Sequence, residues 1–163
     1  MMQQVGNIKD IFCEYFQRNI PDRIIELGTA WGTFTHIVYN LRREINDDFL
    51  FFTIDNLSEI QDIPYNMVYC NMNIFLNIEF IGGLIIPNTL VLCDNGNKKE
   101  EVRLLTPYLK KNCIIMAHDY HWGGHEIEWN DVKDLGLDKY EYDLMKSAGW
   151  LSLRNTNELK HSI

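Results

Sequence analysis

The sequence predicts an α/β fold, a doubly wound and mostly parallel sheet with helices on both faces, in one domain over residues 1–163. Short apolar runs alternate with stretches of helical spacing, which is the pattern of successive strand–helix–strand units. The apolar runs are continuous, which is typical of strands covered by helices on both sides. No stretch rich in Pro, Gly or Ser marks a linker to a second domain.

Each element has a local signal in the sequence. The first helix carries Ile8, Phe12 and Tyr15 on one face and ends before Pro21, and the second helix begins after Gly32. The predicted strands span residues 23–27, 50–54, 67–70, 89–93, 113–117 and 150–153. The predicted helices span residues 7–19, 33–45, 73–82, 98–111, 126–135 and 138–148, and a further strand is expected to begin at 159–163.

Composition and charge exclude several function classes. The formal net charge of -8 argues against a broad nucleic-acid surface and favours a small-molecule or protein substrate. The chain has neither an N-terminal signal core nor an apolar run long enough to cross a bilayer, so no membrane partner is expected. The four cysteines form no C-x-x-C pair, and we interpret them as free thiols of a cytoplasmic protein.

Polar residues or glycines stand at the end of each of the first five strands. Ligands of an open α/β sheet bind at the carboxyl ends of its strands, so these positions are the candidate site. They are Glu26, Gly28 and Gly32 at the first strand, Asp55 at the second, Asn71 at the third, Asp94 at the fourth, and His118 with Asp119 at the fifth.

The first two strand ends indicate a nucleoside ligand. Gly28 allows a tight turn, and a side chain at Gly32 would block close approach of the ligand. The helix after Gly32 offers free N–H groups to an anion, and Asp55 stands where an acid holds a ribose diol. A dinucleotide site would use a similar acid, but the G-x-G-x-x-G fingerprint and the P-loop lysine motif are both absent.

The stretch IIELGTAWGTFT resembles the first motif of class I S-adenosylmethionine (SAM) dependent methyltransferases. The segment from Leu90 to Trp122 resembles the fourth and fifth strand units of small-molecule O-methyltransferases, including catechol-type and cephalosporin-hydroxylase-like groups. The resemblance implies a Rossmann-like fold, SAM as cofactor, and a small-molecule methyl acceptor. The cofactor contacts that it implies are Glu26, Gly28, Thr29, Gly32, Asp55, Asn71, Met72 and Asp94.

Oxygen is the expected acceptor atom. Nucleic-acid amino-methyltransferases carry Asn or Asp, two prolines and an aromatic residue after the fourth strand, whereas this chain has Asp94-Asn95-Gly96-Asn97.

The fourth and fifth strand ends leave two mechanisms open. By resemblance to the metal-dependent members, Asp94, His118 and Asp119 would bind a divalent ion, and the histidine favours Mn²⁺, Fe²⁺ or Zn²⁺ over Mg²⁺. Without a metal, a histidine serves as general base, and His118 and Asp119 are the catalytic candidates in either case. Nearby His121 and His125 are further ligand candidates, whereas Lys98 and Lys99 are predicted to be surface residues of a helix, as is His36.

The C-terminal strands are shorter than the resemblance implies. Residues 149–163 would supply a sixth strand and only the start of an antiparallel seventh, so the sheet is either truncated or covered by a partner subunit, as in a homo-oligomer. This short end supports one alternative to an active methyltransferase, a SAM-binding regulatory subunit without catalysis. Another Rossmann nucleotide-binding enzyme is a second alternative.

Overall fold

A seven-stranded sheet forms the centre of the computed structural model, which describes residues 2–57, 60–120 and 126–158. The strands are β1 (Arg23–Leu27), β2 (Leu50–Asp55), β3 (Met67–Asn71), β4 (Thr89–Cys93), β5 (Ile114–Ala117), β6 (Asp138–Lys139) and β7 (Leu151–Arg154). The helices are α1 (Met2–Arg18), α2 (Thr33–Arg43), α3 (Ile78–Gly83), α4 (Lys98–Leu105), α5 (Trp129–Val132) and α6 (Tyr142–Lys146).

The strand order is β3-β2-β1-β4-β5-β7-β6, with β1 to β5 parallel and β7 antiparallel to both of its neighbours. Leu27 pairs with Ile54 on one side and with Cys93 on the other, and Cys93 pairs with Ala117. The carboxyl ends of these strands therefore lie side by side. The chain leaves β1, β2, β4 and β5 at one edge of the sheet, the edge formed by the carboxyl ends of the parallel strands.

Helices cover both faces of the sheet, as the apolar runs predict. On one face, Phe12 of α1, Val38 of α2 and Met145 of α6 pack in one buried cluster with sheet residues. On the other face, Ile81 of α3 and Val102 of α4 join a second buried cluster. The predicted α/β class and its doubly wound arrangement are confirmed.

The prediction for the C-terminal third was wrong in its element types. Residues 138–148 were expected to form one helix, but Glu141 has a φ of 50° and divides them into strand β6 and helix α6. The strand at 150–153 is the antiparallel seventh strand, inserted between β5 and β6, and not the sixth. Local spacing could not reveal this, because the pairing of β7 with β5 joins segments more than 30 residues apart.

The last strand of the sheet in the described residues is short and charged. β6 ends the sheet with only two residues, both exposed and charged, Asp138 and Lys139. A short charged edge strand is a common protection against pairing with another chain. The described residues therefore contain a seven-stranded sheet, and the strand expected to begin at 159–163 lies outside them.

Helix lengths also differ from the sequence pattern. The helix predicted over 98–111 ends at Leu105 and passes into a 3₁₀ turn at Thr106–Tyr108. Pro107 has no N–H to donate within a helix, which explains this end. The segment predicted over 126–135 contains only α5, followed by a 3₁₀ turn at Lys133–Leu135 that ends at Gly136 with a φ of 74°.

All four cysteines are free, with Cys93 and Cys113 buried and Cys13 and Cys70 partly buried. Within the described ranges, no helix has both the length and the apolar character required to cross a membrane.

Candidate functional site

Gly28 lies where the chain leaving β1 passes directly against the chain leaving β4. A Cβ atom at Gly28 would lie 2.5 Å from the backbone oxygen of Asp94, and the φ of Gly28 is 95°. The Gly28 N–H donates to the Ile54 carbonyl at 2.9 Å, and the Asp94 N–H donates to the Leu27 carbonyl at 2.9 Å. The glycine therefore permits the contact between two of the predicted strand ends.

Replacing Gly28 by alanine is expected to lower the free energy of unfolding by about 2–4 kcal/mol, because a left-handed φ and a clash with backbone atoms act together. Urea denaturation measures the change. Gly96→Ala is the matched control, since a Cβ atom there meets no atom within 4 Å. Equal destabilisation by the two variants would show that the close approach at Gly28 does not matter.

Glu26 is a fully buried carboxyl group beneath this turn. Its Oε2 accepts hydrogen bonds from the hydroxyls of Thr35 and Thr53, each at 2.6 Å. Because the Thr53 hydroxyl donates to Glu26, the Thr29 hydroxyl donates to Thr53, at 2.7 Å. Burial raises the pKa of Glu26 to about 8, while the two threonine hydroxyls act to lower it. Its second oxygen, Oε1, is buried without a hydrogen-bond partner.

Asp55 joins the ends of β1 and β2. Its Oδ2 accepts a hydrogen bond from the Ala30 N–H at 3.1 Å, and its Oδ1 accepts one from the Leu57 N–H at 3.0 Å. The carboxylate thus lies against the loop that follows Gly28.

Gly32 is the N-cap residue of α2, with a φ of 78°, and it has no side chain to cap the helix. The first intrahelical bond runs from the His36 N–H to the Gly32 carbonyl, so the preceding N–H groups of the first turn are available to an anion. A Cβ atom at Gly32 would lie 3.1 Å from the Ile60 side chain. The Ile60 side chain therefore limits the space beside Gly32. The sequence had predicted that this space is needed by a ligand.

The end of β3 lies next to Asp55. Asn71 pairs in register with Asp55, and the Met72 N–H donates to the Asp55 carbonyl at 3.2 Å. The Asn71 side chain is exposed, whereas Met72 is partly buried and packs on the core. Both predicted residues are therefore at the same edge as Gly28 and Asp55.

Asp94, His118 and Asp119 form one cluster at the ends of β4 and β5. His118 Nδ1 lies 3.1 Å from Asp94 Oδ1 and 3.4 Å from Asp119 Oδ1. One ligand atom from each residue lies within 4.8 Å of the other two. Burial acts to lower the pKa of His118, but the hydrogen bond and charge of Asp94 with the charge of Asp119 raise it overall.

The Trp150 ring packs against the His118 ring. The two ring centroids are 4.8 Å apart with planes inclined by 35°, and Phe34 stacks on Trp150 at 5.2 Å. Trp150 is 1% exposed. Trp150 was not predicted as a site residue, since its contact with His118 depends on the antiparallel insertion of β7.

The prediction that Lys98 is a surface residue was wrong. Lys98 is buried, and its Nζ donates to Asp119 Oδ2 at 2.9 Å and to the carboxylate of Glu126. Burial raises the pKa of Asp119, but the ammonium of Lys98 and the charge of His118 lower it overall. Lys98, Val102 and Leu105 share one helical stripe, so the spacing of α4 contained the signal that Lys98 faces inward.

The remaining sequence candidates divide into three groups. Lys99 is exposed, as predicted. His36 lies on α2 and its Nε2 contacts the Gln61 carbonyl at 3.1 Å, away from the Asp94 cluster. His121 and His125 lie outside the described residues.

Glu101 is a second buried carboxyl group that sequence reasoning missed. It lies on α4, three residues after Lys98, with no exposed surface. Burial raises the pKa of Glu101 to about 7.

No protein-family model matches the chain, and no curated protein is similar enough to match it. Solved structures do match. An apo structure of CmcI is 15% identical, with a TM-score of 0.72, over 93% of this chain and 71% of that one. CmcI with SAH (S-adenosylhomocysteine) is 13% identical, with a TM-score of 0.68, over 93% of this chain and 77% of that one.

A third structure contains a small-molecule ligand. It is MycE methyltransferase from the mycinamycin biosynthetic pathway, in complex with Mg, SAH and mycinamycin VI. It is 12% identical with a TM-score of 0.58, over 97% of this chain and 50% of that one. These likenesses show that the chain has the fold of these proteins, a Rossmann-like, seven-stranded mixed sheet.

Proposed function

We propose that this chain is a SAM-dependent methyltransferase that methylates an oxygen atom of a small molecule. The observation that carries the proposal is the meeting, at one edge of the sheet, of the Gly28 turn, the Asp55 carboxylate and the cluster around His118. The shared fold supports it, because the matching structures include proteins crystallised with SAH. The net charge of -8 favours a small-molecule acceptor over a nucleic acid.

The residues of the first strand ends fit the cofactor. The unpartnered Oε1 of Glu26 would accept a hydrogen bond from the amino group, and the first turn of α2 would bind the carboxylate. The Asp55 oxygens would accept hydrogen bonds from the ribose hydroxyls. The proposed cofactor residues are Glu26, Gly28, Thr29, Gly32, Asp55, Asn71, Met72 and Asp94.

The proposed role of His118 is to take up the acceptor's proton. When bound, SAM supplies a methyl group on a sulfonium, so the protein has to orient the acceptor and remove its proton. The Nδ1–H of His118 donates to Asp94, which leaves the lone pair of Nε2 free to accept a proton from a hydroxyl. The carboxylates of Asp94 and Asp119 stabilise the imidazolium that results.

The same cluster fits a divalent metal ion. Asp94, His118 and Asp119 offer two carboxylates and one imidazole nitrogen, a set that suits Mn²⁺, Fe²⁺ or Zn²⁺ better than Mg²⁺. Because Lys98 binds Asp119 Oδ2, the Oδ1 atom remains for an ion. An ion there would hold acceptor oxygens and lower the pKa of the reacting hydroxyl.

Calorimetric titration with SAH tests the proposal. SAH is expected to bind the wild-type protein and NAD is not. Asp55→Ala is expected to weaken SAH binding by about 10–100-fold, because hydrogen bonds to a charged acceptor are lost. Asp143→Ala, which removes an exposed carboxylate on α6, is the matched control and should leave binding unchanged. An SAH affinity unaffected by Asp55→Ala, or binding of NAD instead, would contradict the assignment.

The non-catalytic alternative loses its main sequence support. It depended on the short C-terminal region and on the lack of an extended N-terminal helical lid, and the sheet contains the seventh strand as β7. The edge at β6 is short and charged, so a homo-oligomer is not needed to cover it. We place the activity in the cytoplasm, which the four free thiols favour.

A further inference from the structure

A cavity of about 220 Å³ lies at the opposite edge of the sheet from the candidate site. It opens where β4 and β5 begin and where the antiparallel β7 ends, beneath the end of α1. Its polar wall contains Arg18, Tyr140 and Arg154, and its apolar wall contains Pro21, Leu90 and Ile114. A cavity of this size and mixed lining suits a small ligand with both a polar and an apolar part.

Arg154 is the cation of this cavity that forms no salt bridge with a described residue. Its guanidinium carbon lies 4.3 Å from the centroid of the Tyr140 ring, and its Nε is buried without a hydrogen-bond partner. Within the described part of the chain, no salt bridge joins Arg154 to an acidic residue. An arginine N–H that is buried and unsatisfied calls for a bound partner, because leaving it unpaired costs free energy.

The other charged groups near the cavity make contacts of their own. Arg18 forms salt bridges with Glu14 at 2.8 Å and with Glu141 at 3.3 Å. Asp138 lies opposite Arg154 in the β6–β7 register, and its Oδ2 accepts a hydrogen bond from the Thr156 hydroxyl at 2.6 Å. Among the described residues, Arg154 is therefore the cation of this cavity that forms no salt bridge.

We propose that this cavity is a second ligand site, which binds a small carboxylic acid with an apolar body. The carboxylate lies on the guanidinium of Arg154, whose fork of N–H groups matches two oxygens. The apolar body packs against Pro21, Leu90 and Ile114. The site does not share a residue with the proposed cofactor site, so a ligand here would bind together with SAM.

Benzoate is the probe for this site, with the full chain saturated with SAH so that α2 cannot bind the carboxylate. Binding is followed by the NMR shifts of the Ile114 and Leu90 methyl groups, and Ile60 beside Gly32 reports on the other edge. Benzoate is expected to shift Ile114 and Leu90 and to leave Ile60 unchanged. Benzyl alcohol, which lacks the charge, is expected to bind at least 10-fold more weakly.

Arg154→Met is expected to weaken benzoate binding by about 10–100-fold, and Arg154→Lys to retain part of it. Arg103→Met, which removes an exposed cation that is paired with Asp134 and does not line the cavity, is the matched control and should change the affinity less than threefold. The inference is wrong if benzoate does not shift the Ile114 methyl in the wild type, if Arg154→Met binds benzoate as the wild type does, or if benzyl alcohol binds equally well. The wild-type comparison of benzoate with benzyl alcohol decides the matter even if a variant does not fold.

Discussion

Replacing His118 by alanine is expected to lower kcat by about 10²–10⁴-fold while SAH affinity stays near that of the wild type, because the variant loses the group that accepts the acceptor's proton. The acceptor for this assay comes from a screen of hydroxylated small molecules with methyl-labelled SAM. The pH profile of turnover is a second test of the same role. Since the carboxylates raise the pKa of His118, turnover should increase with pH until His118 loses its proton, above the usual histidine range.

His118→Asn separates the base from a structural role. Its amide N–H can replace Nδ1–H as the donor to Asp94, but it has no atom to accept a proton at the position of Nε2. An asparagine variant as inactive as the alanine variant supports the base. If the asparagine variant keeps wild-type turnover, His118 only orders the cluster. Loss of activity on chelation, with loss of Mn²⁺ binding in both variants, assigns His118 as a metal ligand instead.

Replacing Glu26 by glutamine is expected to weaken SAH binding by about 10–150-fold, because a charged acceptor for the amino group is removed from a buried position. The free protein holds Glu26 with a pKa of about 8, so it is mostly protonated near pH 7. Pairing with an ammonium favours the carboxylate. SAH binding by the wild type should therefore release a proton at pH 7, measured by calorimetry in buffers of different ionisation enthalpy.

The control for this prediction is Glu101→Gln. Glu101 is also buried with a raised pKa, of about 7, but it lies on α4 rather than beneath the Gly28 turn. This variant should still release a proton on binding SAH, whereas Glu26→Gln should not. Equal proton release by the wild type and Glu26→Gln would show that Glu26 does not bind the amino group of the cofactor.

The raised pKa of Glu26 also makes stability depend on pH. The folded pKa of about 8 lies above the unfolded value near 4.5, so folding favours the protonated form. The contribution of Glu26 is fully present below about pH 4.5 and is lost as the pH rises through about 8. Urea denaturation across this range should show the wild type losing stability relative to Glu26→Gln as the pH increases.

Local signals in the sequence predicted the first five strands and the residues at their ends. Gly28, Asp55 and Asp94 follow continuous apolar runs, and parallel strands place their carboxyl ends at one edge. The cluster of Asp94, His118 and Asp119 was predictable for the same reason. The structure confirms that these residues lie together, while their roles remain proposals.

The sequence by itself determined the α/β class and the set of polar groups at the strand ends, because apolar runs, glycines and helix caps act between near neighbours in the chain. Only the tertiary structure decided that Lys98 is buried against Asp119, that Trp150 supports the His118 ring, and that β7 enters the sheet antiparallel between β5 and β6. Each of these depends on a contact between distant segments, which are Lys98 with Asp119, Trp150 with His118, and β7 with β5. Local periodicity carries no information about which distant segment provides the partner.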